Sequence, residues 1–417
     1  MAHILIWSIS AISITLMLFR PFGIPEVAST SAAALLICIL GLIPSRLAAH
    51  AVAEGLDVYL FLAGMMLLSE LARVHGVFDW LAGIAVEHAN GSSVRLFTLI
   101  YAVGTAVTAL MSNDATAVVL TPAVLTADKR AEARPMPYLL TCALIANAAS
   151  FLLPISNPAN LVVFHNAMPP LTRWLAMFLV PSVVSIASTY LLLRWYCRRD
   201  LSLPSRSLDG DGHLTMTGKI TLFGILSVAV VLLLASARRQ DLGLPTFTAA
   251  LIVATIVLIY DRSNPLRLMC EISWSVLPLV AALFIIVEAV KTAGALSILH
   301  DSLTIALRWP MAVTSLVIGS AAGFGTNLVN NLPLGLISGA ALQTTPSHSM
   351  LSTAVLIGID LGPNLSITGS LATILWLIAI RREGLNVSGW QFLKVGMLVM
   401  PLSLLMAIGS AILLNSL

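Results

Sequence analysis

Hydrophobic positions along this chain gather into long runs separated by short polar punctuation. Runs approaching or exceeding the ~20 residues of a bilayer crossing cover 4–19, 28–43, 57–72, 137–165, 173–194, 217–235, 244–260, 274–290, 350–380 and 392–415. Each predicts an apolar helix. Two shorter paired stretches, 94–127 and 310–343, are too short and too broken midway to cross twice. They predict re-entrant hairpins with a polar motif at the tip, a geometry tolerated only where protein or a water-filled cavity surrounds it. Polar breaks also interrupt the runs 137–165 and 350–380, which therefore predict broken helices. The first run has no basic region before it and no small-residue cleavage site after it, so it is expected to be a retained span.

The pattern occurs twice. Glu70 with Arg73 returns as Glu288 with Lys291, Asn113 as Asn330, Asn147 as Asp360 and Trp174 as Trp390, at a nearly constant offset. A long internal period in a membrane chain predicts a transporter of two halves. The expected fold is an all-α polytopic membrane protein with two inverted repeats, each of about five spans plus one re-entrant hairpin. Residues 1–195 form the first repeat, 196–219 a cytoplasmic linker and 220–417 the second. An odd number of spans inverts the second half and places both termini outside. Arg194, Arg198, Arg199, Arg206 and Lys219, then Lys129, Arg130 and Arg134, then Arg381, Arg382 and Lys394 fall on the cytoplasmic side in that arrangement. Arg238 and Arg239 fall outside, against the positive-inside rule.

Composition excludes most other classes. The 417 residues are 58% hydrophobic and 10% charged, with mean hydropathy +0.97, a balance that no soluble globular domain has. A net charge of +3 suggests no nucleic-acid partner. Cys38, Cys142, Cys197 and Cys270 lack metal-ligand spacing and are expected to behave as small apolar residues; no cofactor is implied. Cys142, five residues before Asn147, admits contact with a soft metalloid. Gly218-Lys219 lacks the upstream glycine and following hydroxyl of a phosphate loop, so the driving force must be an ion gradient or a separate ATPase.

Four carboxylates lie in or beside apolar runs, each costing ~2.5–3.5 kcal/mol at a helix centre: Glu70, Asp114, Glu288 and Asp360. Asp114 sits at the first hairpin tip among Ser112, Asn113 and Thr116, placed either to exchange a coupling proton or to cap the returning helix. Asp360 precedes Leu361-Gly362-Pro363, which should stop the helix and leave its terminal dipole for a ligand; the alternative is a bond to the broken backbone. Glu70 and Glu288 each precede a cation by three residues, the spacing of a helical ion pair. Asn113, Asn147, Asn157, Asn160, Asn330, Asn331 and Asn364 concentrate amides beside the breaks, suited to a neutral hydroxylated solute, to an anion or to unwound backbone. His165 and Asn166 are expected in a loop at the outer face. The amphipathic stretches 76–90 and 294–308 read as interfacial braces.

At these residues the chain resembles the arsenical pump membrane proteins, arsenite and antimonite efflux permeases of the ion transporter superfamily. The matching runs are Ser112-Asn113-Asp114-Ala115-Thr116 through Pro122, Ala146-Asn147-Ala148-Ala149-Ser150, Leu153-Pro154-Ile155-Ser156-Asn157, and Asp360-Leu361-Gly362-Pro363-Asn364 through Gly369-Ser370-Leu371-Ala372-Thr373. The resemblance implies a scaffold and a transport domain, the latter holding 94–165 and 310–380 and moving as an elevator. It implies efflux of As(OH)3 and Sb(OH)3 across the inner membrane by proton antiport, and for some members a soluble arsenite-stimulated ATPase subunit. Asp114 and Asp360 would couple protons. Ser112, Asn113, Thr116, Asn147, Ser156, Asn157, Asn330, Asn331, Asn364, Thr368 and Ser370 would bind the substrate. Carboxylate carriers of the superfamily have Ser-Asn-Thr at the first tip, where this chain has Ser112-Asn113-Asp114; a fixed negative charge there would repel a dicarboxylate. The competing readings are a Na+/H+ or other ion-coupled antiporter, in which acidic groups and amide oxygens hold the cation, and a channel, disfavoured because a selectivity ring needs several copies.

Overall fold

The computed structural model describes residues 2–19, 24–164, 168–206, 213–262, 264–343, 349–385 and 387–416. His165, Asn166 and residues 207–212 of the linker lie outside them. Among the described residues there is no strand. The first half runs α1 (Ala2–Phe19), α2 (Glu26–Ile39), α3 (Ser45–Glu54), α4 (Leu56–Val74), α5 (Val77–Ala89), α6 (Ser93–Leu110), α7 (Asn113–Ala115), α8 (Thr121–Arg130), α9 (Pro135–Ala148), α10 (Pro158–Val163) and α11 (Leu171–Tyr196). One turn, α12 (Arg198–Leu201), leads into the linker. The second half runs α13 (Met216–Ala237), α14 (Gly243–Asp261), α15 (Pro265–Glu271), α16 (Val276–Val290), α17 (Leu296–Ala306), α18 (Met311–Val329), α19 (Asn331–Gln343), α20 (Ser349–Leu361), α21 (Leu371–Arg382) and α22 (Gly389–Ser416).

Seven described helices are long and apolar enough to cross a membrane, and α3 with α4, bent by 44°, would make an eighth. The outgoing hairpin arms α6 and α18 are among the seven; their return arms are not. In the first hairpin the π-turn at Thr116–Leu120 interrupts the return, and in the second the return arm α19 has 13 residues.

Packing between the halves is reciprocal. α4 lies on α14 and α16 on α2; α16 touches α3 and α4 touches α15. The long last helices α11 and α22 pack along each other, each with an interior proline, Pro181 and Pro401, and Thr189 Oγ1 meets Ser403 Oγ at 3.2 Å. Both carboxylate–cation pairs read from the i,i+3 spacing form: Arg73 grips Glu70 through Nε at 3.1 and 3.0 Å, and Lys291 Nζ lies 2.6 Å from Glu288. Trp174 and Trp390 do not behave alike. Trp174 is buried and donates to the Phe151 carbonyl, whereas Trp390 is exposed under Lys394. The second half instead buries Trp376, which donates across the halves to Leu139.

α18 and α20 approach so closely at Gly358 that a β-carbon there would overlap the Gly319 carbonyl oxygen. That neighbour is backbone and cannot rotate away. Gly358→Ala is expected to cost about 1–3 kcal/mol, read as a lower unfolding midpoint of the detergent-purified protein.

Candidate functional site

The first tip begins where α6 ends. Ser112 is extended, and its hydroxyl accepts from the Ala115 N–H at 3.2 Å, capping the return. The chain then doubles back, with Thr108 Oγ1 against Thr116 Oγ1 at 2.8 Å. A β-carbon on Gly104 would meet Ile145 Cγ2 at 2.8 Å, so its absence lets α6 lie close against α9. Asn113 is buried and its Oδ1 has no hydrogen-bond partner among the described residues.

At the second tip Asn330 takes the capping role, with Oδ1 accepting from the Leu332 N–H at 3.4 Å. Its φ of 78° and ψ of 154° lie in a region that residues other than glycine rarely adopt, a strained conformation of the kind found at functional sites. Asn331 follows as the first residue of the return arm, buried, with its own Oδ1 unpartnered. This corrects the register of the repeat at the tips. Asn113 matches Asn331, and Asn330 matches the cap Ser112; the sequence offset of an asparagine could not separate two adjacent asparagines. Around this tip Asn327 donates to the Gly362 carbonyl, Ser366 donates to Asn327 Oδ1 at 2.6 Å, and Asn330 donates to the Thr368 carbonyl.

The two broken helices cross in a fully buried polar knot. Asn157 caps α10 through Ala159 N–H and donates 2.9 Å to Asp360 Oδ1. Ser150 Oγ lies 2.8 Å from Asp360 Oδ2. In the reciprocal position Ser370 caps α21 and donates to Asn147 Oδ1 at 3.4 Å, while Asn147 donates to Asn364 Oδ1 at 3.0 Å. Asn364 donates onward to the Leu144 carbonyl, and Asn160 closes the first break through the Ser150 carbonyl. Asn147 and Asp360 both occupy the penultimate position of their helices, so the exchange is an amide in one half for a carboxylate in the other.

A cavity of about 680 Å³ opens between the first hairpin and α21 on one side and α4 with the start of α16 on the other. Ser112 and Asp114 lie on its wall, and Pro158 and Leu371 bring the first turns of α10 and α21 to it. Its volume falls in the ~300–1,000 Å³ range of small-molecule sites. Arg73 bridges Glu70 and Glu271 on its wall, with Arg267 beside Glu271 at 3.4 Å. Hydrogen bonding to Glu70, reinforced by the Arg73 and Arg267 guanidiniums, holds the exposed Glu271 carboxyl below the usual carboxylate range.

A model described as citrate transporter matches residues 9–359. The chain belongs to the citrate transporter family. It is 26% identical over 356 residues to an arsenical pump membrane protein of Yersinia enterocolitica, covering 80% of this chain and 81% of that one. It is 24% identical over 355 residues to that of Escherichia coli strain K12, with coverage of 80% and 81%. A putative arsenical pump membrane protein of Bacillus subtilis strain 168 is 24% identical over 418 residues, covering 93% and 94%. Among solved structures, the YdaH transporter of Alcanivorax borkumensis superposes with a TM-score of 0.57 at 13% identity, covering 88% of this chain and 86% of that one, a likeness of fold alone. With these relatives and its membrane-length helices, the protein is a multi-pass permease of the ion transporter superfamily.

The sequence-predicted residues other than Asn113 separate into four groups. Ser112 and Asp114 face the cavity. Asn147, Asn157, Asp360, Asn364 and Ser370 meet in the knot, and Asp360 is wholly buried. Asn330 and Thr368 meet at the second tip, near Asn331. Thr116 is buried against Thr108, and Ser156 donates to the Ala109 carbonyl, so both brace the first hairpin. Sequence reasoning missed Glu271 and Asn327. It also missed Asp128, a fully buried carboxylate on α8 whose two oxygens have no partner among the described residues. Lys129 and Arg130 follow it, and that cationic context disguised it as part of a surface cluster.

Proposed function

We propose that the protein exports the neutral metalloid hydroxides As(OH)3 and Sb(OH)3 across the inner membrane in exchange for protons. A transport domain of residues 94–165 and 310–380 moves as an elevator against the remaining helices as scaffold. The observation that carries this reading is the charge of the cavity wall. Glu70, Asp79, Asp114, Glu271 and Glu383 face it against Arg73 and Arg382, with Lys129 paired to Glu383 and Arg267 to Glu271 from beside it, a formal excess of one negative charge. Such a wall repels a carboxylate anion and leaves a neutral solute unaffected. The Ser112 hydroxyl and the Asp114 carboxyl on the wall suit the hydroxyl groups of such a solute, and the first turn of α21, which Leu371 brings to the wall, offers its free N–H groups to the solute's oxygens.

Asp114 carries the proton in this reading, and Asp360 senses it within the knot. That the cavity is lined by residues of 94–165 and 310–380 on one side and of the remaining helices on the other supports this division, and the reciprocal packing of the two halves supports an inverted repeat. A second reading, carriage of a carboxylate such as citrate, is favoured by the description of the family model. Proteoliposomes holding the purified protein and a pH gradient distinguish the two. Accumulation of arsenite or antimonite that dissipates the gradient is the expected result. Citrate uptake, or proton movement driven by Na+ with no metalloid response, overturns it.

A further inference from the structure

A second cavity, of about 560 Å³, includes Arg173 and Arg239 on its wall. Helix α11 fixes its place. The 26 residues of α11 rise about 39 Å, enough to set Arg173 across a bilayer from Arg194. Beyond Arg194 the chain reaches Asp200, which pairs with Arg134. Arg134 follows closely on Lys129, the partner of Glu383 on the wall of the substrate cavity. The substrate cavity therefore opens toward one face of the membrane and the second cavity lies at the other.

The wall of this second cavity suits an anion. Arg173 and Arg239 are its only charged groups among the described residues, and neither side chain has an ion pair among them. Asp241, the carboxylate nearest Arg239 in sequence, is exposed and off the wall. Gln343, Ser349 and Ser352 add amide and hydroxyl groups. Pro169 and Pro170 bring the start of α11 to the wall, and no side chain caps that helix, so the positive end of its dipole lies there. Guanidiniums match the oxygens of a phosphate in pairs.

The backbone at Arg239 adds a second sign. Gln240 N–H bonds the Ala235 carbonyl at 3.0 Å, closing α13, and leaves Arg239 left-handed with φ 60°. Glycine usually takes that place. An arginine held there, on the face where the positive-inside rule disfavours cations, argues that its side chain has a use. Toward the membrane middle both helices expose apolar side chains, Leu179, Val180 and Val183 on α11 and Val230, Val231 and Leu234 on α13. Lipid chains have a surface beside the two charges.

We propose that this cavity binds the phosphate of an anionic phospholipid through Arg173 and Arg239, its acyl chains lying on the exposed faces of α11 and α13. The wall joins Val163, Phe164, Gln343 and Ser352 of the proposed transport domain to the two arginines of the scaffold. A bound lipid clamps the two parts in the arrangement seen here. The clamp, unlike the binding site, rests on the elevator reading above.

Delipidated protein in detergent, titrated with phosphatidylglycerol, phosphatidylcholine or inorganic phosphate, tests the site through the unfolding midpoint. Phosphatidylglycerol should raise the midpoint, and the other two should not at equal concentration. Arg173→Gln combined with Arg239→Gln should weaken the phosphatidylglycerol response at least about tenfold in affinity. Arg238→Gln, an exposed neighbour off the wall, should respond like the wild type. Wild-type affinity in the double variant, or an equal loss in Arg238→Gln, overturns the site. An equal rise with inorganic phosphate overturns the lipid as its occupant. In phosphatidylglycerol vesicles arsenite counterflow should be severalfold faster in the double variant, and equal counterflow overturns the clamp. A wild type without counterflow in any vesicle overturns the export reading instead, and the lipid titration, which uses no metalloid, tells the two failures apart.

Discussion

Asp114→Asn, purified and reconstituted, is expected to lose gradient-driven arsenite accumulation by at least about tenfold while still binding arsenite. The reason lies in placement. Asp114 is the carboxylate that the first hairpin tip presents to the cavity, beside Ser112. An ionised carboxylate at membrane depth costs ~2.5–3.5 kcal/mol on the insertion scale, so a carrier bearing it returns readily only after taking a proton. Asparagine has the shape of the protonated form permanently. The variant can therefore move in both directions at any pH, and it dissipates a metalloid gradient without drawing on protons. Arsenite counterflow across the membrane should persist when net uptake is gone. Unchanged net uptake in Asp114→Asn removes Asp114 from the coupling step. Asp114→Glu, which retains a titratable group, should keep gradient-driven uptake at a reduced rate.

Asp360→Ala is expected to act on folding before transport. Its carboxylate receives Asn157 and meets Ser150, tying the second broken helix to the first across the halves. Removing one member of such a buried polar group leaves its partners desolvated and unpaired, at a cost of about 3–5 kcal/mol. For a protein of ordinary marginal stability that is a large share of the total. The folded, monodisperse fraction after detergent extraction should fall sharply and the unfolding midpoint with it. Asp360→Asn is the control. Its amide can accept from Asn157 and donate to Ser150, so it should fold like the wild type and fail only in proton-driven uptake. A stable Asp360→Ala protein would mean that the knot is held by Asn147, Asn364 and Ser370 alone.

Much of this was legible in the sequence because the bilayer is an unforgiving solvent. Backbone at membrane depth must satisfy its own hydrogen bonds, so long apolar runs could only be helices. The polar breaks could only be positions where side chains replace the lost ladder bonds, and the structure assigns that role to Ser112, Asn157, Asn330 and Ser370. Each of these four residues does accept from a backbone N–H at the start of the following helix. The i,i+3 ion pairs of Glu70 with Arg73 and Glu288 with Lys291 were equally readable, since both partners lie on one helix face. The tip register was not. Asn330 and Asn331 are the same residue type in adjacent positions, and only the capping geometry assigns the first to the role of Ser112.

Asp128 marks the other limit. Followed by Lys129 and Arg130, it carries the local signature of a solvated helix end, and only the packing of α5, α9 and α21 around α8 removes it from water. Asp114 and Asp360 present the same contrast from opposite sides, since both are acids beside helix breaks and nothing local distinguishes them. The sequence by itself determined the helical class, the places where the helices break and the repetition of both, because these depend on neighbours within a few residues; the cap of the first return helix, read as Asp114, is Ser112. Only the tertiary structure decided that Asp114 faces a cavity while Asp360 is locked into a knot with Ser150 and Asn157. Those partners stand more than two hundred positions away, and which polar group meets which is fixed by how the two halves pack.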